Sequence, residues 1–505
     1  MGGRVERTDI ESTRKNHEEV KCPYCYNSRM QKTVFVSTAI PYVNGDPHIG
    51  HSLEYVQTDV MARYFRIKYG KENVFALTGS DENALKNVLA AEAAGKETQE
   101  FIDEKTQEFQ KLYQVLDLSF DDFIRTTEER HIEGAQKLWS KFKKEDIYLD
   151  TYEGLYCVGC EEFKTEKDLV DGMCDEHKKK PERVSEQNYF FKLSNYQKQI
   201  EALITKEQIK IVPEKRKNEV LGFIKEGLKD FSISRSMKRA RNWGVPVPDD
   251  PTQVMYVWVD ALSNYITALD YANEGELYKK FWEREGVERI HVIGKGIVKF
   301  HALYWIGMLL SAGVPLPTQE FVHGYVTVDG NKIGKSLGNA IHPKVVIDKY
   351  GVDAFRYYLL KEIPAYGDGD YASSRMSEIY KSDLQNGLGN LVARVAAMAG
   401  ESIKYKVKST KLSIDVCEAL EMYKFDMALA QVWTRIKKAD QFVSEKRVWE
   451  LEGKEKVEAL VWLVGEIRQI ATDLTPFLPS TAAKIAEVYD QEQIVKGEAL
   501  FPRLS

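Results

Sequence analysis

The sequence lacks any uninterrupted apolar run of the ~18 residues that a membrane-spanning helix requires. The longest candidate, Leu303–Leu316, is broken by Gly307, Ser311 and Gly313 and reads as a buried helix. Cysteine is scarce, six in 505 residues, which excludes a disulfide scaffold. The stretch Arg4–Lys21 has no apolar segment, so it is not a secretory signal. It is also not the Arg/Ser-rich, acidic-poor pattern of a transit peptide, and the expected location is cytoplasmic. Neither sign of charge dominates: 71 Lys+Arg face 77 Asp+Glu, a net charge of −6. Any polyanion would therefore bind local basic patches. Walker A is missing, since no G-x-x-x-x-G-K-[ST] occurs. There is no repeat and no low-complexity tract. What is present, 43% hydrophobic and 11% aromatic residues, belongs to a soluble globular protein and excludes a mostly disordered chain.

Periodicity places the elements. Residues 1–32 read as a polar extension. Thr33–Thr38 is a short β-branched run that predicts a buried strand. A turn-rich loop follows, Pro41-Tyr42-Val43-Asn44-Gly45-Asp46-Pro47. From His48, the residues Ile49, Leu53, Val56, Val60 and Tyr64 fall at helical spacing, with Gly70 as the expected cap. Val74–Thr78 predicts a second strand and Glu82–Ala94 a second helix. Strand, helix, strand is the pattern of an α/β parallel sheet with ligands at the strand carboxyl ends. It breaks near residue 145. Residues 146–232, with basic clusters and cysteine pairs, read as an insertion between two halves of one domain, 33–145 and 233–345. The α/β pattern resumes around Val254–Asp260. Ile290–Gly294 is another expected strand, Ile297–Leu310 a helix, and Phe321–Val328 a strand ending in the Asp329-Gly330 turn. Residues 346–378 connect to an all-α segment, 379–505, helical in pattern up to Tyr489.

Five of the six cysteines sit in C-x-x-C or C-x-x-H pairs. Cys157-x-x-Cys160, thirteen residues, then Cys174-x-x-His177 presents four soft donors in two knuckles. This suits tetrahedral Zn²⁺, and four protein ligands leave no open position, so the expected ion is structural. Cys22 and Cys25 make only half a site and read as an incidental pair in the extension.

Two further segments handle anions. His48-Ile49-Gly50-His51 opens the first helix directly after the first strand. Free N–H groups and the positive helix end favour phosphate there. Gly50 allows close approach of a bulky ligand such as a purine. Lys332-Ile333-Gly334-Lys335-Ser336 forms a cationic loop able to cover a triphosphate. Together these segments resemble the HIGH and KMSKS motifs of class I aminoacyl-tRNA synthetases, with Ile333 for Met and Gly334 for Ser.

The closer resemblance is to the methionyl-tRNA synthetases of the single-zinc-knuckle type, from about residue 33 onward. Ala39–Gly45 is similar to that family's first signature and Leu77–Glu82 to its T-G-T-D-E stretch, with Asn83 where bacterial members often carry His. Tyr256–Ala261 is similar to its Y-V-W-x-D-A segment. Asn390 and Arg394 match its N-x-x-x-R, and Trp449 its stacking tryptophan, with Val448 in place of the usual Pro.

The resemblance implies a Rossmann-type catalytic domain with a zinc-bearing insertion, a stem-contact region at 346–378 and an anticodon-binding helix bundle. It implies an enzyme, a ligase joining methionine to tRNA(Met) through methionyl-adenylate. ATP with Mg²⁺ would be held by His48, Gly50, His51, Lys332, Lys335 and Ser336, and methionine by Ile40, Tyr42, Asp81, Trp258, Tyr265, Ile297 and His301. His48, His51, Lys332 and Lys335 are the implied catalytic residues, with Arg235 nearby. Asn390, Arg394 and Trp449 would read the anticodon. The enzyme is expected to be a monomer, since no further module follows the helices. Three alternatives stay open: a decayed synthetase fold that only binds RNA, an adenylating enzyme that loads small thiols, and a class I synthetase for another apolar amino acid. Retention of both histidines, both lysines and Asp81 speaks against the first.

Overall fold

In the computed structural model the residues described are 32–159, 162–175, 178–333, 338–400, 410–491 and 493–504. Six parallel strands form the central sheet: β1 (Val34–Thr38), β2 (Val74–Ser80), β3 (Asp122–Arg125), β4 (Lys210–Val212), β5 (Glu288–Gly294) and β6 (Gln319–His323), in the order β3-β2-β1-β5-β6-β4. Every residue of β1 and β2 is buried, as expected for apolar runs covered on both faces. The order reverses beside β1, which opens a crevice at the carboxyl ends of β1 and β5.

Helix α1 (Ile49–Tyr69) follows β1 and ends at Gly70, whose φ of 93° is open to glycine. Its apolar side, Leu53, Val56 and Val60, packs in one core with Val36, Val292 and the helical half of the molecule. A second core lies on the other face of the sheet. It gathers Phe35, Leu77 and Ile293 with Tyr265, Trp282 and Trp305.

The segment 146–232 carries a long antiparallel pair, Ile147–Cys157 against Glu182–Phe191. Within the same segment, Lys210–Val212 returns to the central sheet as its edge strand β4. Asp250–Met255 pairs antiparallel with Ser234–Ser236 in a small separate sheet, so the α/β pattern expected to resume around Val254 does not add a strand to the parallel sheet there. The stretch expected as one strand at 321–328 is split into β6 and Val326–Val328. The split falls at Gly324, where a Cβ would lie 2.0 Å from the Gly367 carbonyl oxygen. Asp329 (φ 48°) and Gly330 (φ 76°) then make a tight turn into Asn331–Lys332. The helix expected over 297–310 is α-helical only from Ile306. Phe300–Trp305 is a π-helix, and the Ile297 carbonyl accepts from the His301 ring.

Among the described residues from Ser373 to Tyr489 the elements are helices, including Asn390–Ala399, Phe425–Glu445, Gly453–Leu474 and Pro479–Tyr489. One fully buried side chain pins this bundle to the sheet. The Arg356 guanidinium donates to Asp59 Oδ2 of α1 at 2.7 Å, to the Phe477 carbonyl at 2.8 Å and to the Leu116 carbonyl at 3.2 Å. Burial pushes the Asp59 carboxyl up, but Arg356 and Arg63 outweigh it and hold the group below the usual carboxylate range. Among the described residues no helix is long and apolar enough to cross a membrane.

Candidate active site

A cavity of about 550 Å³ lies at the carboxyl edge of the sheet, above β1 and β5. Ile40, Tyr42, His48, Gly50, His51, Asp81, Trp258, Tyr265, Ile297, His301 and Lys332 all line it. These come from five segments far apart in sequence.

His48 caps α1. Its Nδ1 accepts from the Gly50 N–H at 3.1 Å, and His51 Nδ1 accepts from the His48 N–H at 3.1 Å. Both Nδ1 atoms are therefore acceptors, and each neutral ring carries its proton on Nε2. The rings stack with centroids 4.0 Å apart, so two Nε2–H donors stand side by side at a helix N-terminus. Gly50 is a steric requirement: a Cβ there would lie 2.9 Å from His48 Cε1 and 3.5 Å from Ile333 Cδ1.

Asp81 directly follows β2 and is buried. Its backbone pairs with Tyr42, its N–H donates to the Pro41 carbonyl at 2.9 Å, and its carbonyl accepts from Asn87 Nδ2. A carboxylate fixed in this way beside an aromatic wall suits an ammonium group. Asn83 turns away and donates to the Thr126 carbonyl at 3.0 Å.

The opposite wall is aromatic. The Trp258 ring stacks on Phe300 at 3.8 Å with an interplanar angle of 5°. Tyr265 Oη lies 2.8 Å from His301 Nε2, and His301 Nδ1 lies 3.0 Å from the Ile297 carbonyl. The carbonyl can only accept, so Nδ1 carries the proton and Tyr265 donates to Nε2. Burial pushes the His301 pKa down to about 4, so the ring is neutral at pH 7. This wall offers polarisable surface and no charge, which suits a thioether.

Lys332 leaves the turn on an exposed strand, and its carbonyl accepts from Asn339 Nδ2 at 2.9 Å. Gly334, Lys335 and Ser336 lie outside the described residues. Arg235 is buried, with Nη2 donating to Tyr156 Oη at 2.7 Å.

The cavity also holds residues that motif reading missed. Glu54 Oε1 accepts from the Ala39 N–H at 2.8 Å, and its Oε2 lies 2.8 Å from His323 Nε2. Its position three and four residues beyond His51 and Gly50, on their helix face, was a usable signal. His323, at the end of β6, and Tyr325, just beyond it, line the same cavity.

The remaining candidates lie elsewhere. Cys157 ends the strand Ile147–Cys157, and Cys174 sits in Met173–Cys174; both are buried. At Cys174 the chain turns tightly, with the Lys178 N–H donating to the Cys174 carbonyl at 2.7 Å. Cys160 and His177 lie outside the described residues, as do Cys22 and Cys25. Among the described residues no group of three or more His, Cys, Asp or Glu could hold a metal. On the bundle, Asn390 is exposed at the start of its helix. Arg394 donates to Asp440 Oδ1 at 2.9 Å and lies 5.9 Å from the Trp449 ring centroid. Val448 beside it is fully buried, which leaves Trp449 48% exposed on the surface.

The family model for class I tRNA synthetases (M) matches residues 34–178 and 164–396. The chain is 39% identical to the methionine–tRNA ligase of Clostridium acetobutylicum, over 94% of this chain and 78% of that protein. It is 39% identical to the ligase of the same name from a Nostoc species, over 91% and 90%. The Mycobacterium tuberculosis methionyl-tRNA synthetase in complex with methionyl-adenylate superposes with a TM-score of 0.86 at 34% identity, covering 94% of this chain and all of that one.

Proposed function

The chain belongs to the class I tRNA synthetases of the methionyl family, and from that premise we propose which of its residues carry each part of the reaction. It is a methionine–tRNA ligase. A carboxylate oxygen of methionine attacks the ATP α-phosphorus, and the bond to the bridging oxygen breaks to release pyrophosphate. A hydroxyl of the terminal adenosine of tRNA then attacks the carbonyl carbon of methionyl-adenylate, and AMP leaves. No covalent enzyme intermediate is needed, so catalysis is positioning plus charge stabilisation.

The single observation that carries the assignment is the convergence of paired Nε2–H donors, a buried carboxylate and a neutral aromatic wall on one cavity. In this reading Asp81 pairs with the methionine ammonium. Ile40, Tyr42, Trp258, Tyr265, Ile297 and His301 enclose its side chain. His48 and His51 donate to the α-phosphate as charge builds in the transition state, and Gly50 makes room for the purine. Lys332, Lys335 and Ser336 hold the outer phosphates of ATP, whose Mg²⁺ neutralises part of their charge.

Residues 146–232 are read as the insertion, and Cys157, Cys160, Cys174 and His177 would hold one structural zinc in it. Buried thiols and a tight turn at Cys174 fit such an ion. Residues 346–378 are read as the stem-contact region. Residues 379–505 are read as the anticodon-binding bundle, with Asn390, Arg394 and Trp449 facing single-stranded bases. The same reading takes the enzyme to be a cytoplasmic monomer acting on tRNA(Met).

The test is amino-acid-dependent ATP–pyrophosphate exchange without tRNA, across methionine, leucine, isoleucine, valine and cysteine. Exchange with methionine alone is the expected outcome. Exchange with another amino acid would overturn the pocket assignment and leave the class intact.

A further inference from the structure

Lys86 belongs to none of the motifs and does not line the cavity. It is the second residue of the helix Leu85–Ala93, which begins four residues after Asp81. Its Nζ lies 3.6 Å from the centroid of the Tyr42 ring. The same ammonium donates to the Gly159 carbonyl at 3.0 Å. Gly159 lies between Cys157 and Cys160, at the tip of the first knuckle. One half-buried cation thus touches a wall of the methionine pocket and the backbone of the knuckle.

We propose that Lys86 is a positioning residue that ties the Cys157–Cys160 knuckle to Tyr42 and so sets the shape of the methionine pocket.

Three features support it. First, the contact is close, and an ammonium over a partly desolvated ring resists displacement. Second, the Tyr42 ring packs against the second core only in part. Its backbone is stitched to Asp81, but the ring stands half-buried at the rim of the cavity. Third, the knuckle is anchored behind the contact. Tyr156, next to Cys157, accepts from Arg235 and lies 4.2 Å under the Arg239 guanidinium. Arg239 in turn pairs with Glu186 of the neighbouring strand at 3.0 Å. Gly159 is therefore carried by an anchored base, and Lys86 receives a fixed acceptor. An ion held by Cys157 would stiffen the tip further, which gives a structural metal a consequence at the amino-acid site. The inference rests on the methionine-pocket reading above.

The test uses the full-length enzyme and methionine itself. Lys86→Met keeps the aliphatic stem and removes the charge and the donors. It should raise KM for methionine in pyrophosphate exchange about five- to tenfold, with kcat and melting temperature close to wild type. Lys86→Arg, which can still cover the ring and donate, should restore KM. In a Tyr42→Leu background, Lys86→Met should add little further change, since the ring it positions is gone. Coupling is reciprocal, so methionine should slow amide hydrogen exchange in the peptide spanning 153–159 of the wild type and not of Lys86→Met. A methionine-active wild type whose KM is unchanged by Lys86→Met overturns the proposal alone. So does a 153–159 peptide indifferent to methionine. A wild type with no methionine-dependent exchange overturns the pocket reading and this proposal together.

Discussion

Tyr265 and His301 are each 1% exposed, whereas Trp449 is 48% exposed. Both regions present aromatic and nitrogen groups to a substrate, but the physics differs. In the cavity wall Tyr265, His301 and the Ile297 carbonyl are paired with one another before any ligand arrives, and burial keeps His301 neutral. Such a site selects by shape and polarisability, and binding costs it little rearrangement. On the bundle, Trp449 stands in water beside an Arg394 already engaged by Asp440. As the proposed anticodon face, that surface would gain from stacking and would exchange an ion pair for base contacts. Under the proposed assignment, the difference teaches that one chain would read its small substrate with a prepared interior and its large one with an adaptable exterior.

Four substitutions break or sharpen this comparison. The largest effect belongs to the cavity. His51→Ala removes an Nε2–H donor and should lower the adenylation rate constant about 10²–10³-fold, with little change in methionine affinity. Stopped-flow adenylate formation measures it, and an unchanged rate would remove His51 from the machinery.

Next is the interior of the sheet. Glu320 on β6 is fully buried directly opposite His291 of β5, and burial pushes its carboxyl up to about 8. A raised folded pKa means that the contribution to stability is complete below about 4.5 and is lost as pH rises to about 8. Glu320→Leu should therefore be more stable than wild type by about 2–4 kcal/mol at pH 9, with that margin shrinking at pH 4. Denaturant midpoints at the two pH values decide it. A pH-independent difference would show that the carboxyl is not held protonated.

Third, Trp449→Ala should lower kcat/KM for tRNA charging by about 5- to 100-fold, the worth of one stacked base, and leave pyrophosphate exchange intact. Equal loss of both activities would mean a folding defect and would erase the contrast between the two regions. Smallest, Asp440→Asn breaks an exposed ion pair and should change stability by less than about 0.5 kcal/mol. A larger change in melting would show the bundle face to be as prepared as the cavity.

Much of this was legible in the sequence where one local rule dominates. The buried run Val34–Thr38, the turn-rich loop and the 3.6-residue pattern from Ile49 place His48 and His51 at a strand–helix junction without any tertiary knowledge. The Asp329-Gly330 turn needs only two residues that accept positive φ. The aromatic cavity wall was legible only through family resemblance, because Trp258 and Tyr265 sit on a uniformly buried helix with no periodicity of their own. The edge strand Lys210–Val212 was hidden because three residues carry no pattern. The π-helix at Phe300–Trp305 was hidden because its apolar residues carry no pattern that separates it from an α-helix. The pairing of Glu54 with His323 required the fold, since 269 residues separate two groups only 2.8 Å apart.

Arg356 sets a rule for dividing the chain. Its five N–H donors are shared among the first helix, a loop before the third strand and two carbonyls of the last helical turn region, with Pro476 at 3.3 Å beside Phe477. A fragment cut near residue 378 would keep the whole cavity yet strip a buried guanidinium of half its acceptors. The cut edge would then admit water to the interior side of α1, the same helix whose N-terminus carries His48 and His51. A catalytic core separated from its bundle is thus a damaged core, and a shortened version of this enzyme would need Arg356 replaced by an apolar side chain together with Asp59.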